Sequence, residues 1–269
     1  MKKITFSIII VCKDAGEKLG KTVRSVLAQS YPQYEIIVKD GMSADGSVDR
    51  LPADKKIRVV RQKDRGIYDA MNQAIVLAEG DYLLFLNCGD YLYDEKVLEK
   101  AGVWIATDRA ASEIYYGDIY NRSVGAKIIS NPRINAFACY RNIPCHQACF
   151  YAKELMRRRP YQPKYRVRAD YEHFLGSYFA DGVRPVSMQI VVTSYEGGGF
   201  SETKENERLS AKEHAAIVKK YMRKGQIFRF RLLMALSLAP LRTWISKNAR
   251  LAGVYQKVKE CIYRKRRRG

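Results

Sequence analysis

The sequence predicts an α/β fold: a Rossmann-like, mostly parallel sheet flanked by helices, with a basic helical extension at the C-terminus. Two observations indicate this class. Between residues 6 and 90, short apolar runs typical of buried strands alternate with segments of helical periodicity. The chain also has 269 residues, of which 47% are apolar, and this is enough to bury the core of one such domain with appendages.

Four strands are predicted in the first part of the chain, each a short apolar or β-branched run bounded by polar residues. They cover residues 6–12, 35–39, 57–60 and 82–86. Helices with apolar residues at three- and four-residue spacing are predicted over residues 19–27 and 66–77. Because right-handed crossovers bring the loops after parallel strands to one edge of the sheet, we expect a ligand site at that edge.

The second part of the chain has weaker patterns. They predict helices over residues 95–107 and from residue 169, and strands over 114–118 and 186–193. Residues 120–165 lack a period and contain four of the eight prolines, which is typical of a functional loop. The glycines at 197–199 are either a hinge over a bound ligand or a flexible turn. Because the chain is helical and basic from residue 202, we predict two units, residues 1–201 and 202–269.

Acidic residues follow three of the predicted strands: Asp14, Asp40 and Asp90. A single Asp in a loop is commonly a turn former or a helix cap, but three after neighbouring parallel strands favour a ligand site. The sequence contains neither a Gly-x-Gly-x-x-Gly loop nor a Gly-x-x-x-x-Gly-Lys phosphate loop. A bound diphosphate therefore needs a metal, and Asp90 would supply the hard oxygen that Mg²⁺ or Mn²⁺ prefers.

The composition predicts a cytosolic chain. Residues 1–4 lead directly into a strand without a cleavage site, so we expect no signal peptide. No stretch approaches the roughly 18 to 20 apolar residues of a membrane-spanning helix. The six cysteines lack zinc-like spacing and are expected to be reduced thiols.

The net charge of +20 is concentrated at the C-terminus, where 14 Lys and Arg stand against one acid, Glu260, from Tyr221 onward. Residues 228–245 mix apolar and basic side chains over a length too short to span a bilayer, which suits a helix lying in an anionic membrane interface. The basic run at 264–268 adds electrostatic attraction. The alternative is a helix packed on the α/β domain with a solvated charged end, and the two are partly compatible.

Four segments resemble, in order and spacing, the family 2 glycosyltransferases of the GT-A fold, the type that builds bacterial surface polysaccharides such as lipopolysaccharide and capsule. The resemblance extends over residues 4–200. The segments are Ser7-Ile8-Ile9-Ile10-Val11, Asp40-Gly41-Met42-Ser43-Ala44-Asp45-Gly46-Ser47, Asp64-Arg65-Gly66-Ile67-Tyr68-Asp69-Ala70-Met71-Asn72 and Leu86-Asn87-Cys88-Gly89-Asp90. The resemblance implies that residues 1–201 form an inverting, metal-dependent catalytic domain. It would move a sugar from a nucleotide-sugar, a UDP-sugar before a GDP-sugar, to a hydroxyl of a lipid-linked or oligosaccharide acceptor.

The resemblance also implies which residues bind the donor. Asp40 falls where the family places the carboxylate that reads the nucleobase, and residues 64–72 match the stretch that lines the nucleotide and its phosphates. Residues 87–90 stand at the Asp-x-Asp position of the family, but an amide replaces the first acid. Asp90 is therefore the expected metal ligand. The expected donor contacts are Val11, Asp14, Asp40, Asp64, Gly66, Asp69, Asn72, Asn87 and Asp90.

The catalytic base of the family lies in a Glu-Asp pair at a helix start, and Ala169-Asp170 matches this pair without its Glu. Inverting transfer needs one carboxylate to take the proton of the acceptor hydroxyl and needs no covalent intermediate. Asp170 is the first choice and Glu172, on a different helix face, the second. An ordinary acid at a helix N-terminus is the alternative for Asp170. His146 and Gln147 are expected to contact the acceptor or the sugar, although a lone His is commonly structural.

Two other classes remain open on the residues alone. A nucleic-acid-binding protein fits the basic tail, but the charge is confined to that tail and the carboxylates repel phosphates. A sugar nucleotidyltransferase needs a glycine-rich basic loop after the first strand, and Asp14-Ala15-Gly16 does not supply it. We therefore expect a nucleotide-sugar, its acceptor and an anionic membrane surface as partners, and no nucleic acid. The expected location is the cytoplasmic face of the inner membrane, with peripheral attachment.

Overall fold

The computed structural model of the protein describes residues 3–197, 203–236, 255, 258 and 261–263. Strands and helices alternate along the chain. The strands are β1 (Phe6–Cys12), β2 (Tyr34–Asp40), β3 (Ile57–Arg61), β4 (Tyr82–Asn87), β5 (Tyr91–Leu92), β6 (Ile114–Asn121), β7 (Ala126–Ile128), β8 (Cys149–Ala152) and β9 (Val186–Tyr195). The helices are α1 (Glu17–Leu27), α2 (Ile67–Leu77), α3 (Val97–Thr107), α4 (Ala136–Arg141), α5 (Lys153–Arg158), α6 (Ala169–Phe179), α7 (Lys204–Tyr221) and α8 (Lys224–Leu236).

A sheet runs through the described part of the chain in the strand order β3-β2-β1-β4-β8-β6-β9-β5, with β7 paired to β6. Strand β1 lies parallel between β2 and β4, so that Ile8 is opposite Ile36 on one side and Leu84 on the other. All seven residues of β1 are buried, because helices cover both faces of this parallel half. The predicted α/β fold with a mostly parallel sheet is confirmed.

The segment 120–165, expected to be irregular, contains elements that complete the sheet. Strand β8 inserts antiparallel between β4 and β6, with Leu84 opposite Phe150 and Tyr116 opposite Cys149. Its four residues are too few to show a period, and three of them are buried. The expectation of one long loop is wrong, because the partners of β8 come from distant parts of the chain.

Alternate residues of the central strands belong to two separate cores, since successive side chains of a strand point to opposite faces. Ile9 and Val11 pack in one cluster with residues of α2, α5 and α6. Ile8 and Ile10 pack in the other cluster with residues of α1 and α3. Both layers hold the carboxyl ends of β1, β2 and β4 at one edge of the sheet, and the candidate site is built there.

Helices α7 and α8 share the core of the α/β domain. Ile217, Val218 and Phe230 belong to the cluster that includes α6, and the Phe230 ring lies 5.3 Å from the ring of Phe137 in α4. The boundary expected at residue 202 therefore does not separate two cores over the described residues. The tail residues 237–254 and the run 264–268 lie outside the described residues, as do 198–202. No helix in the described part of the chain has the length and apolar character needed to cross a membrane.

Candidate active site

The carboxyl ends of β1, β2 and β4 lie side by side. Cys12 is opposite Asp40 and Val11 is opposite Asn87, so the loops that follow these strands start from one edge of the sheet. This brings the expected donor-binding segments together, as parallel crossovers require. Val11 itself is buried in the core, and its carbonyl oxygen accepts a hydrogen bond from the Cys88 thiol at 3.6 Å.

Asp40 is completely buried at the end of β2. Its carboxylate accepts hydrogen bonds from the Ser43 backbone N–H at 3.1 Å and from the Ser43 hydroxyl at 2.5 Å, and Arg61 Nε lies 3.8 Å away. These bonds hold the turn over residues 40–43. Because the carboxylate is completely buried and bound by Ser43, Asp40 is less accessible here than the resemblance implies.

Two loops are joined above Asp40. The Asp14 N–H donates to the Ser43 hydroxyl at 2.8 Å, and the Asp14 carboxylate accepts from the Ala44 N–H at 2.8 Å. Asp14 and Met42 both have left-handed backbones, with φ of 48° and 67°, which non-glycine residues adopt at a cost. Such strain concentrates at functional sites. Because the Met42 side chain is half exposed, this pair of loops is a candidate surface for the nucleobase.

Asp64 and Asp69 hold the loop between β3 and α2. Asp64 Oδ2 lies 3.1 Å from Nζ of the completely buried Lys39, and Asp64 Oδ1 accepts from the Gly66 N–H at 3.1 Å. Asp69 accepts from the Arg65 N–H at 2.9 Å, and this bond lowers the pKa of the Asp69 carboxyl. Both carboxylates keep a small exposed fraction, 13% and 14%, so a ligand at this edge can contact them.

Asn72 does not face this edge. Its Nδ2 donates to the Tyr161 carbonyl at 2.8 Å, and its Oδ1 accepts from the Tyr161 N–H at 3.0 Å. Both polar groups of the side chain therefore tie α2 to the segment that precedes α6. Its position does not support the nucleotide contact expected for Asn72, because the distant partner Tyr161 already occupies the amide.

Asp90 is 3% exposed in the turn after β4. One carboxylate oxygen accepts from the Glu196 N–H at 2.7 Å, and the other accepts from the side-chain amide of Gln147. The Asp90 N–H closes the turn by donating to the Asn87 carbonyl at 3.0 Å. Burial raises the pKa of the Asp90 carboxyl, and the two hydrogen bonds offset part of this rise. Asp90 is therefore held rigidly, at the point where the resemblance places a metal ligand.

Arg122, which no pattern in the sequence indicated, also holds this turn. Its Nη2 donates to the Gly89 carbonyl at 2.5 Å and its Nη1 donates to the Ser194 carbonyl at 2.7 Å. The guanidinium carbon also lies 4.4 Å from the centre of the Tyr91 ring. Arg122 follows β6, and the pairing of β6 with β9 and of β9 with β5 brings it here. No local pattern in the sequence marks such a contact.

Two side chains of this turn carry hard oxygen atoms of the type that Mg²⁺ and Mn²⁺ prefer. Asn87 Oδ1 is buried and has no hydrogen-bond partner among the described residues. Asp90 and Asn87 therefore offer two hard oxygens, although the described residues contain no group of three His, Cys, Asp or Glu arranged for a metal. Mg²⁺ commonly takes one or two protein ligands and completes its shell with phosphate oxygens and water. Asp90 and Asn87 are the residues that would hold it.

Asp170 lies at the start of α6, with its side chain 19% exposed. Its Oδ1 accepts from the Tyr68 hydroxyl at 3.0 Å, and its Oδ2 lies 3.5 Å from His146 Nδ1. Burial alone raises the pKa of the Asp170 carboxyl, but the contacts with His146 and Tyr68 outweigh it, and the net pKa is lowered. A carboxylate that is ionised, oriented and open to solvent on one side suits a proton acceptor.

His146 and Gln147 connect the two carboxylates. They stand in a single 3-10 turn, His146–Ala148, that precedes β8. His146 faces Asp170, and the next residue, Gln147, donates to Asp90. The second ring nitrogen of His146, Nε2, is buried and has no hydrogen-bond partner among the described residues. The turn therefore contacts the candidate base through His146 and the candidate metal ligand through Gln147.

Glu172 is completely buried and faces away from Asp170. Its Oε1 accepts from Lys220 Nζ and from the Tyr221 hydroxyl of α7, both at 2.5 Å. An advance of two residues along a helix rotates the side-chain direction by about 200°, so residues 170 and 172 point in different directions. The prediction of Glu172 as a second candidate base is not supported by this geometry, since Glu172 joins α6 to α7.

The chain is similar in sequence to known proteins. The family model described as glycosyl transferase family 2 matches residues 7–164. A PGL/p-HBAD biosynthesis glycosyltransferase of Mycobacterium tuberculosis is 33% identical over 205 residues, which are 74% of this chain and 79% of that protein. The UDP-Glc:alpha-D-GlcNAc-diphosphoundecaprenol beta-1,3-glucosyltransferase of Escherichia coli is 34% identical over 94 residues, which are 34% of this chain and 38% of that protein.

Two solved structures share the fold. S. aureus TarS in complex with UDP-GlcNAc superimposes with a TM-score of 0.64 at 15% identity, over 84% of this chain and 70% of that chain. The mannosyltransferase PcManGT from Pyrobaculum calidifontis, in complex with GDP-Man and Mn²⁺, superimposes with a TM-score of 0.59 at 17% identity. That match spans 96% of this chain and 87% of the other. At these identities the likeness concerns the fold alone.

Proposed function

The chain belongs to glycosyl transferase family 2 and is a glycosyltransferase, and from this premise we propose its reaction. It transfers a sugar, with inversion and with the help of a divalent metal, from a nucleotide-sugar to a hydroxyl of a lipid-linked or oligosaccharide acceptor. The contacts of two consecutive residues, His146 with Asp170 and Gln147 with Asp90, carry the proposal. These contacts connect the proposed proton acceptor, Asp170, and the proposed metal ligand, Asp90, through one short turn. Family membership favours this activity over nucleic-acid binding and nucleotidyl transfer.

The proposed donor is a UDP-sugar, with a GDP-sugar as second choice. The Escherichia coli relative is named for the use of UDP-Glc, and TarS has been solved with UDP-GlcNAc. PcManGT, which shares the fold, has been solved with GDP-Man and Mn²⁺. For this chain, the strained loops at Asp14 and Met42 are the proposed nucleobase surface. We propose that Asp64 and Asp69 contact the part of the nucleotide other than its base.

Asp170 is the proposed base. Its carboxylate accepts the proton of the acceptor hydroxyl as that oxygen forms a bond to the anomeric carbon. The bond from the anomeric carbon to the phosphate oxygen breaks in the same step, so the nucleoside diphosphate leaves and the configuration inverts. Tyr68 and His146 orient the carboxylate, and its lowered pKa keeps it ionised at neutral pH. A Mg²⁺ or Mn²⁺ ion held by Asp90 and Asn87 would neutralise charge on the leaving diphosphate.

The proposed acceptor is lipid-linked, and helix α8 supports this choice. Phe228, Leu232 and Leu236 stand four residues apart on one side of α8 and are 72%, 52% and 72% exposed. They face away from Phe230, which packs on α4. A helix with an exposed apolar stripe and nearby arginines suits the surface of an anionic membrane. We therefore place the enzyme peripherally on the cytoplasmic face of the inner membrane.

A calorimetric panel tests the proposed donor. UDP-glucose, UDP-N-acetylglucosamine and GDP-mannose are titrated into the purified protein with Mn²⁺, with Mg²⁺ and with a chelator. We expect metal-dependent binding of at least one of them, followed by slow release of its nucleoside diphosphate. If none of a broad set of sugar nucleotides binds in a metal-dependent way, the proposed reaction is wrong.

A further inference from the structure

Glu213 of α7 has an unusual set of partners. Its side chain is buried, and its carboxylate accepts three backbone N–H groups in succession. These are the N–H groups of Arg166 at 2.8 Å, Val167 at 3.0 Å and Arg168 at 2.8 Å. Burying a carboxylate is costly unless hydrogen bonds compensate for lost water, and here three donors do so. The arrangement therefore fixes residues 166–168 to α7.

Residues 166–168 lead directly into α6, the helix that carries Asp170. The N-cap of α6 is Arg168, whose side chain makes no capping hydrogen bond. The N-terminal end of a helix has backbone N–H groups without helical partners and a partial positive charge, so a carboxylate there is stabilising. Glu213 supplies a carboxylate from another helix, 45 residues further along the chain than Arg168.

The contact continues to the candidate base. The Val167 N–H is bound by Glu213, and the Val167 carbonyl oxygen lies 3.0 Å from the Tyr68 hydroxyl. The Tyr68 hydroxyl also lies 3.0 Å from Asp170 Oδ1. Val167 is therefore held through both its N–H and its carbonyl oxygen, and the contacts connect Glu213 to Asp170 by way of Val167 and Tyr68.

Other residues of α7 support the same helix. His214 Nε2 lies 3.1 Å from the Tyr171 hydroxyl, and Lys220 and Tyr221 bind the Glu172 carboxylate. Two side chains that follow Asp170 along α6 are thus bound by α7 as well. Both α6 and α7 lie beyond residue 164, where the match to the family model ends, so the match does not cover these contacts.

We propose that Glu213 is a positioning residue for Asp170. By binding the three N–H groups before α6, Glu213 sets the direction in which the helix starts and holds Asp170 against Tyr68 and His146. This inference rests on the proposed function, because it assigns Glu213 to the geometry of the base. It predicts a loss in the chemical step without a loss of donor binding.

The variant Glu213→Gln tests this role with little change in volume. One acceptor oxygen becomes an NH₂ group, which cannot accept from the backbone N–H groups. Misplacement of a reacting group by a fraction of an ångström to 1 Å lowers turnover by about 10- to 100-fold. We expect such a fall in kcat, with KM for the donor and the affinity for UDP and Mn²⁺ unchanged within about twofold.

The matched control is Glu205→Gln, the same chemical change at an exposed position in the first turn of α7. Turnover is measured as release of nucleoside diphosphate from the donor that binds best, and affinity is measured by calorimetry with UDP and Mn²⁺. We expect the control to behave as wild type in both assays. Equal kcat in wild type and in a folded Glu213→Gln protein would overturn the inference, and so would a parallel loss of kcat and UDP affinity.

If Glu213→Gln does not fold, Tyr68→Phe tests the same network at its other end. Removing the Tyr68 hydroxyl breaks the contact between Val167 and Asp170, so we expect the same fall in kcat with unchanged UDP affinity. Normal turnover of Tyr68→Phe would then overturn the inference. Failure of wild-type protein to bind or turn over any donor is a different result, because it rejects the proposed function itself.

Discussion

His146 Nδ1 lies 3.5 Å from Asp170 Oδ2, and the neighbouring side chain, Gln147, donates a hydrogen bond to Asp90. A single short turn thus contacts both carboxylates on which the proposed chemistry depends. Because the turn precedes β8 in the middle of the sheet, strand pairing fixes the place of the turn, whereas Asp170 reaches it from helix α6. This relationship makes the roles of Asp170 and of the Asp90 turn separately testable.

Asp170→Asn is expected to abolish transfer and to leave donor binding intact. The amide has the shape of the carboxylate but cannot take up a proton at neutral pH, and loss of a general base costs about 10²- to 10⁴-fold in rate. Turnover and UDP affinity with Mn²⁺ are measured in parallel, with Asp54→Asn, an exposed carboxylate, as the control. Loss of UDP affinity in Asp170→Asn would remove Asp170 from the role of base.

Arg122→Gln is expected to weaken metal-dependent donor binding. The change removes the charged donor that joins the Gly89 carbonyl to β9, so the turn that carries Asp90 loses a support. A hydrogen bond to a charged group is worth about 1.5–3 kcal/mol, which corresponds to at least about a tenfold loss in affinity. Mn²⁺ binding in the presence of UDP is followed by electron paramagnetic resonance. Arg109→Gln, at an exposed position, is the control, and identical Mn²⁺ affinities in the two variants would contradict the prediction.

Stability is expected to fall at acidic pH because of His173. Burial lowers the pKa of His173 to about 3, and the rings of Tyr151 and Tyr161 lie 5.3 Å and 5.4 Å from its ring. The unfolded chain takes up a proton near pH 6.5, whereas the folded protein does not do so until about pH 3. The contribution of neutral His173 to the free energy of unfolding is therefore complete above pH 6.5. It is lost as the pH falls toward 3, by up to about 1.4 kcal/mol per pH unit.

Urea unfolding of wild type and of His173→Phe over this pH range measures the effect. Phenylalanine keeps the ring contacts and removes the titrating group, so the variant is expected to lose much of the slope between pH 6.5 and pH 4. A residual slope of the same sign is expected from His214, whose pKa burial also lowers. Equal slopes for wild type and variant would show that His173 is not the cause.

The exposed stripe on α8 is expected to bind anionic membranes. In the double variant Phe228→Ser with Leu232→Ser, the packed residue Phe230 is retained, so the fold should be kept. Burying one such side chain is worth about 1.5–3 kcal/mol, so binding should fall at least about tenfold. Co-sedimentation with phosphatidylglycerol vesicles is compared with phosphatidylcholine vesicles. Val76→Ser, which removes a 72% exposed side chain from α2, is the control, and equal binding by both variants would contradict membrane attachment through α8.

Much of the fold follows from local pattern. The strands β1, β2, β3 and β4 are short apolar runs and the helices between them are periodic segments. Their bounds in the structure differ from the predicted ones by at most two residues. The position of Asp40 and Asn87 at one edge follows as well, because parallel strands with right-handed crossovers allow no other edge. The short strand β8 could not be predicted in this way, since four residues show no period.

The sequence by itself determined the α/β class and the edge at which polar residues gather, because these depend on periodicity and on order along the chain. The family resemblance, and not periodicity, made Asp170 a candidate. The tertiary structure alone decided what those residues touch. Asn72 is bound to Tyr161 and Glu172 to Lys220, so neither faces the site, whereas Glu213 reaches the loop before Asp170. Each of these contacts joins residues more than 40 positions apart. A local pattern carries no signal for such a pair, because the pairing is fixed by how the helices pack.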